Sequence, residues 1–204
     1  MLTGILSDVM IKDLVKSSAM ISPFHDKRVA DDVISYGLSS YGYDARLSPH
    51  FVLLDDQSSY ADLTIDPKNM KNRRVSKVLT QRLEIRPHGF VLGKTMEYFK
   101  IPKDVISLCI GKSTYARCGL IVNVTPLEPG WEGYVTLELS NTTPYPVYVY
   151  AGEGIAQFLF LRGASPCESP YDGNYQKQND ITLPVVKAVR TKLCERTQPD
   201  QPDD

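Results

Sequence analysis

Apolar positions fall into two regimes along this chain. Leu6, Met10 and Leu14 recur at a spacing of four around Ser7, a residue type that caps helices, and predict a helix over residues 7–18. The period stops at Ser17-Ser18, ahead of Ile21-Ser22-Pro23, where the proline disfavours helical backbone in the residue before it. Residues 35–44, SYGLSSYGYD, carry neither a helical nor a strand period and read as a loop; strand-like text follows over 45–54. Residues 55–74 are polar and uneven, with Asp66-Pro67 and a basic knot at Lys71, Arg73 and Arg74. They read as an irregular excursion with one short helix.

From residue 82 the text changes to short apolar runs: LEI, FVLGKTMEYF, VISLCI, GLIVNV, YVTLEL, YPVYVY and IAQFLFL. Turn residues separate them, at Pro87-His88-Gly89, Pro102-Lys103-Asp104, Pro129-Gly130, Asn141-Thr142-Thr143-Pro144 and Ala151-Gly152-Glu153-Gly154. Val, Ile, Tyr and Thr dominate the runs, as suits a half-buried pleated surface. Seven or more such strands predict a mostly β sandwich or barrel, not alternating βαβ units. Apolar content falls beyond residue 170. No internal repeat or domain boundary is visible, so a single domain over 1–190 is expected, with 191–204 as a frayed tail.

Composition narrows the function classes. Lys plus Arg (23) balance Asp plus Glu (24), a formal net charge of −1. This argues against an electrostatic grip on nucleic acid, while a local cluster still suffices for a small anion. Asp8 breaks the first apolar stretch too early for a signal peptide, and no run of 18 apolar residues offers a membrane span. Cys109, Cys118, Cys167 and Cys194 form no CxxC pair; four free thiols in a reduced, cytoplasmic protein are expected. There is no GxGxxG and no GxSxG. Gly111-Lys112-Ser113 looks like the end of a phosphate-binding P-loop, but the first glycine of such a loop would fall on Ile106. His25, His50 and His88 never occur as HxE or HExxH, and no PCxxC follows, so no zinc is expected and hydrolysis would activate water without it.

Chemistry-bearing residues concentrate in 109–141. Ser113 and Thr114 lie between Lys112 and Arg117, with strand text on each side. Such a turn suits a polyphosphate, or it is an ordinary solvated turn. In YVTLEL, Tyr134, Thr136 and Glu138 share one face, opposite Val135, Leu137 and Leu139. Glu138 either faces water on a half-exposed sheet or lines a cleft, where burial would raise its pKa and make it a proton shuttle that Arg117 could hold ionised. Trp131, in a glycine-flanked turn, is a platform for a sugar or base, or the plug of a barrel end. Residues 171–178, YDGNYQKQ, read as disordered or as a lid with Lys177 reaching phosphate.

Five ordered blocks resemble the deoxycytidine-triphosphate deaminase family, a branch of the dUTPase-like superfamily: SSYGYDARLS, GKSTYARCGLIVNVT, EPGWEGYVTLELSNTTPYPV, EGIAQFLF and NYQKQNDITLP. The resemblance covers about residues 5–185 and implies a distorted β-barrel with a short N-terminal helix and a C-terminal lid. It also implies a homotrimer with active sites at subunit interfaces, and magnesium bound through the substrate triphosphate with no direct protein ligand. By the same resemblance Glu138 is the catalytic carboxylate, Ser113 helps fix water, and Arg117 stands beside them. Lys112 and Thr114 match the phosphate-binding turn, and the backbone of Asn123, Val124 and Thr125 matches the base-recognising segment. Glu128 and Trp131 match positions near the sugar, Gln157 the superfamily's AQ motif and Asp44 its first motif. Tyr171, Tyr175, Lys177 and Gln178 match the segment that folds over the triphosphate. The implied reaction is hydrolytic deamination of dCTP to dUTP, supplying dUMP and dTTP synthesis, with dTTP as an end-product inhibitor.

Two departures stand out. Only Pro126 and Leu127 separate Thr125 from Glu128, where many relatives have a longer stretch with a small residue, a histidine and an arginine; Asn174 stands where lysine is common. Both thin the positive charge expected around the phosphates. Three other readings follow from the same residues. A bifunctional enzyme would cleave dUTP on to dUMP with Glu128 orienting a second water, and a dUTPase would only cleave. A non-catalytic nucleotide-binding protein would need a broken set, yet Ser113, Arg117 and Glu138 are all present.

Overall fold

The computed structural model describes residues 3–54, 65–68, 70 and 74–186. Lys71, Arg73, Cys194, the 187–190 end of the expected domain and the expected tail at 191–204 lie outside the described residues, as does most of the 55–74 excursion. In chain order the elements are β1 (Gly4–Ile5), α1 (Asp8–Ser18), β2 (Ile21–Ser22), β3 (Gly37–Ser39), β4 (Gly42–Arg46), β5 (His50–Leu54), β6 (Val75–Leu79) and β7 (Arg82–Ile85). They continue with β8 (Phe90–Lys100), β9 (Val105–Gly111), α2 (Ser113–Arg117), β10 (Leu120–Asn123), β11 (Glu132–Asn141), β12 (Val147–Tyr150) and β13 (Gly154–Arg162).

The first helix forms where the spacing of four places it and turns Ile11 into the core. Ser7 occupies the capping position but its side chain makes no capping bond; the Asp8 carboxylate accepts the Val9 N–H at 2.8 Å instead. The helix ends at Ala19 in a left-handed conformation, its N–H donating to the Val15 carbonyl.

The expected loop at 35–44 is a hairpin of β3 and β4. Its residues are buried on both faces, which erases the alternation a sequence reader looks for. Gly42 permits the tight approach to β13: its φ is +134°, and a Cβ there would sit 2.7 Å from the Phe158 carbonyl oxygen.

The barrel expectation is overturned. Among the described residues the strands form three open sheets: β13 with β9 along one edge and β4 and β1 along the other, β3 continuing from β4; the series β10-β11-β8-β5-β6, with β2 also on β8; and the pair β12-β7. Closure would need continuous ladders between the sheets. Instead the chain makes single bridges, Leu47–Thr95 and Ser107–Leu127, so the sheet edges do not join. The two large sheets pack through aromatic side chains, with the Phe99 ring of β8 at 4.5 Å from Phe158 and 6.5 Å from Phe160 of β13. A buried ion pair also ties them together: Glu97 of β8, with no solvent exposure, accepts Arg46 Nε at 2.8 Å and Arg46 N–H at 2.9 Å. Burial pushes the Glu97 carboxyl up while Arg46 holds it down.

Candidate active site

β11 is the central strand of the site. Alternation along it buries Val135, Leu137 and Leu139 and leaves Thr136 and Glu138 on the other face. Glu138 stands directly between Leu92 of β8 and Asn123 of β10. Its face borders a cavity of about 710 Å3, which also takes in Val124, Thr125, Glu128, Trp131, Tyr171, Tyr175 and Gln178. These sequence-predicted residues are therefore brought together by three separate stretches of chain. Much of the remaining wall is apolar, including Phe90, Leu92, Leu127 and Val135.

This wall has an electrostatic consequence. Glu138 Oε2 is buried and makes no hydrogen bond among the described residues. Removal from water disfavours the carboxylate, and the Glu138 pKa is pushed up to about 7, the opposing pull of its own backbone N–H being smaller. Such a group exchanges a proton in either direction near neutral pH. Burial and the nearby Glu138 charge together push the Cys109 thiol well above its ordinary range, so it stays protonated.

Residues 170–184 do not hang free. Tyr171 N–H donates to the Pro129 carbonyl, Lys177 N–H to Glu132 and Tyr134 N–H to Gln178, and Gly133 and Gln178 form a parallel bridge. Gly133 allows this approach: a Cβ would lie 2.8 Å from the Gln178 nitrogen. Trp131, 5% exposed, donates its ring N–H to the Tyr175 carbonyl at 2.8 Å. Asp180 pins the far end to Lys94 at 3.0 Å. Lys177 points outward with a Glu132 contact of 3.6 Å and does not border the cavity.

The other expected site residues lie elsewhere on the subunit. The GKST turn contains a helix, α2, too short at five residues to leave a period in the sequence. Ser113, Thr114 and Arg117 on it are exposed, and Arg117 donates to the Ser113 carbonyl at 3.1 Å. Lys112 is drawn to Asp44 at 2.6 Å and to Ser35 at 3.2 Å. Thr114 borders a second, more open cavity with Arg28, Ser35, Tyr150 and Glu153. Gln157, on β13 between β4 and β9, donates to Ser39 at 3.3 Å. None of these five residues borders the Glu138 cavity.

The sequence pattern described as dCTP deaminase-like matches residues 5–163. The chain is 52% identical over 186 residues to a dCTP deaminase of Ehrlichia canis, covering 90% of this chain and 98% of that one. It is also 52% identical over 190 residues to a dCTP deaminase of Rickettsia akari, covering 90% of this chain and all of its relative. It belongs to the dCTP deaminase-like family. Its fold is similar to that of the 2'-deoxycytidine 5'-triphosphate deaminase from Agrobacterium tumefaciens, with a TM-score of 0.58 and 21% identity. That match takes in 79% of this chain and 48% of the Agrobacterium chain.

In this member of the family two contributors to the site escaped the sequence reading. Thr136 shares the Glu138 face and borders the cavity, and its hydroxyl oxygen accepts the Thr182 N–H at 3.3 Å. Period-two alternation had already placed it there, so the signal existed. Gln176, whose side chain ties 170–178 to the 130–132 turn, carried no such signal. Among the described residues no three His, Cys, Asp or Glu side chains are grouped to hold a metal ion, and no helix is long and apolar enough to cross a membrane.

Proposed function

We infer that the protein hydrolytically deaminates dCTP to dUTP and ammonia. The observation that carries this reading is Glu138: a carboxylate with one oxygen buried and without a hydrogen-bond partner among the described residues, facing a cavity large enough for a nucleoside, with its pKa pushed up to about 7. Glu138 takes a proton from water and delivers it to N3 of the cytosine while the hydroxide oxygen bonds to C4. The proton of the new hydroxyl then passes through Glu138 to the exocyclic nitrogen. The C4–N bond breaks, ammonia leaves, and the C4–O bond becomes the uracil carbonyl. Positioning and fixed dipoles lower the barrier. The Trp131, Tyr171 and Tyr175 side takes sugar and phosphates, and magnesium enters as part of the substrate, held by the triphosphate.

The remaining roles belong to an assembled protein. Ser113, Arg117, Lys112 and Thr114 complete the site of a neighbouring subunit in a homotrimer. An exposed apolar stripe supports this: Ile106, Leu108 and Ile110 along β9, with Ile121 on β10. β9 runs directly into α2, so a copy covering the stripe is carried toward Ser113 and Arg117. We place this activity in the cytoplasm, with dTTP as the end-product inhibitor. A second reading, cleavage of dUTP to dUMP, rests on Glu128, which borders the same cavity. Purified protein given each deoxynucleoside triphosphate in turn, with ammonia and pyrophosphate measured separately, tests the assignment. Ammonia from dCTP alone is expected, and pyrophosphate without ammonia would refute it.

A further inference from the structure

One side-chain amide, that of Gln176, adds four hydrogen bonds to the backbone contacts that hold the wall formed by Trp131, Tyr171 and Tyr175. Gln176 is half-buried behind it and does not border the cavity. Its Oε1 accepts the Glu132 N–H at 2.9 Å and the Lys177 N–H at 3.3 Å. Its Nε2 donates to the Gly130 carbonyl at 2.8 Å and the Tyr171 carbonyl at 3.1 Å. Both donor hydrogens and both acceptor lone pairs of the amide are thereby used. The bonded groups flank the wall: Gly130 and Glu132 stand on either side of Trp131, and Tyr171 is fixed through its own carbonyl. The contacts close on one another, since Trp131 donates to the Tyr175 carbonyl at 2.8 Å and the Tyr175 N–H donates to the Tyr171 hydroxyl at 3.2 Å.

We propose that Gln176 is a positioning residue for nucleotide binding: its amide locks the Trp131–Tyr171–Tyr175 wall in place without touching the nucleotide. The proposal rests on the cavity being the nucleotide site. The chemistry is specific to an amide. A carboxylate of the same shape still accepts at one oxygen, but it turns the other toward the Gly130 and Tyr171 carbonyl oxygens, with no hydrogen to donate. Alanine removes all four bonds; the Lys177 N–H keeps its bond to the Glu132 carbonyl, while the Glu132 N–H and the Gly130 and Tyr171 carbonyls lose the amide. Neither change alters Glu138, so the loss falls on binding and not on proton transfer.

The test compares Gln176→Ala and Gln176→Glu with the unaltered protein, reading dCTP deamination kinetics and the emission of Trp131, the one tryptophan of the chain. At pH 8.5 both variants should raise KM about tenfold or more, with kcat within about threefold. Trp131 emission should shift to the red as its ring loses its enclosure. In Gln176→Glu both defects should recede in part at pH 5.5, because the introduced carboxyl, facing two carbonyl oxygens, takes up a proton above the usual range near 4.3 and then donates one O–H where the amide donates two N–H. Its KM is expressed as a ratio to the unaltered protein at each pH, which cancels the titration of Glu138. A reversible recovery of this kind separates positioning from misfolding. Unchanged KM and emission, a fall in kcat at constant KM, or no recovery at pH 5.5 would each overturn the proposal. Failure of the unaltered protein to release ammonia from dCTP would instead count against the functional reading, and the emission arm still decides whether Gln176 holds the wall.

Discussion

Replacing Glu138 by glutamine keeps the volume of the side chain and removes its titration. The carboxyl moves from an ordinary value near 4.5 to about 7 in the folded chain, worth about 3 kcal/mol at about 1.36 kcal/mol per pH unit, and partial solvent access lowers this to about 1–2 kcal/mol. Because the folded value is the higher one, the contribution is favourable while the group is protonated in both states. It is lost as pH rises through the interval from about 4.5 to about 7, where the unfolded chain releases the proton and the folded chain keeps it. Glutamine undergoes no such loss. Glu138→Gln should therefore gain stability over the unaltered protein between pH 5 and pH 8, by about 2–8 °C in melting temperature for a chain of this size. Deamination should fall by about 10²-fold or more while dCTP still binds. In the unaltered protein kcat/KM should rise about tenfold per pH unit below about 7 and level off above it, since the base that accepts the proton of water must be ionised. Melting curves at the two pH values and an ammonia-coupled assay supply the data. Near-normal turnover in the variant, or a stability difference that does not change with pH, would refute the reasoning.

Light scattering should give three times 22.9 kDa, about 69 kDa; a fully active monomer would refute a site completed by neighbouring subunits. Truncation after Pro170 should leave the sheets folded but raise KM sharply, because Tyr171, Tyr175 and Gln178 leave the cavity wall; unchanged kinetics would remove the segment from the site. Chelation of zinc, followed by resupply of magnesium, should leave full activity, and reversible loss of turnover with stoichiometric zinc would contradict the mechanism.

The strands after residue 82 were legible because apolar runs and turn residues alternate there, and the face bearing Glu138 followed from period two alone. The β3–β4 hairpin was not legible, since burial on both faces removed its alternation. α2 was too short to establish a period. Open sheets and a closed barrel share the same strand text; the difference lies in whether ladders or isolated bridges link Leu47 to Thr95 and Ser107 to Leu127, a long-range property. The polar composition of residues 171–178 suggested disorder or a lid. Their ordered place depends on backbone groups of Pro129, Glu132 and Tyr134 that no local pattern announces. Glu138 and the cavity residues from Val124 to Trp131 lie close together in sequence. Ser113 and Arg117 are also near in sequence, yet the fold of one chain puts them elsewhere.

The most direct measurement follows dCTP through many turnovers by product chromatography, with ammonia read in parallel. Deamination by Glu138 predicts dUTP accumulating one for one with ammonia and little pyrophosphate. Glu128 is exposed on the short turn after Pro126, and an error of about 1 Å in its placement against the α-phosphorus costs about 10²-fold in rate. Consumption of dCTP without ammonia would contradict the central claim, and dUMP formed at the rate of ammonia release would replace a deaminase with a bifunctional enzyme.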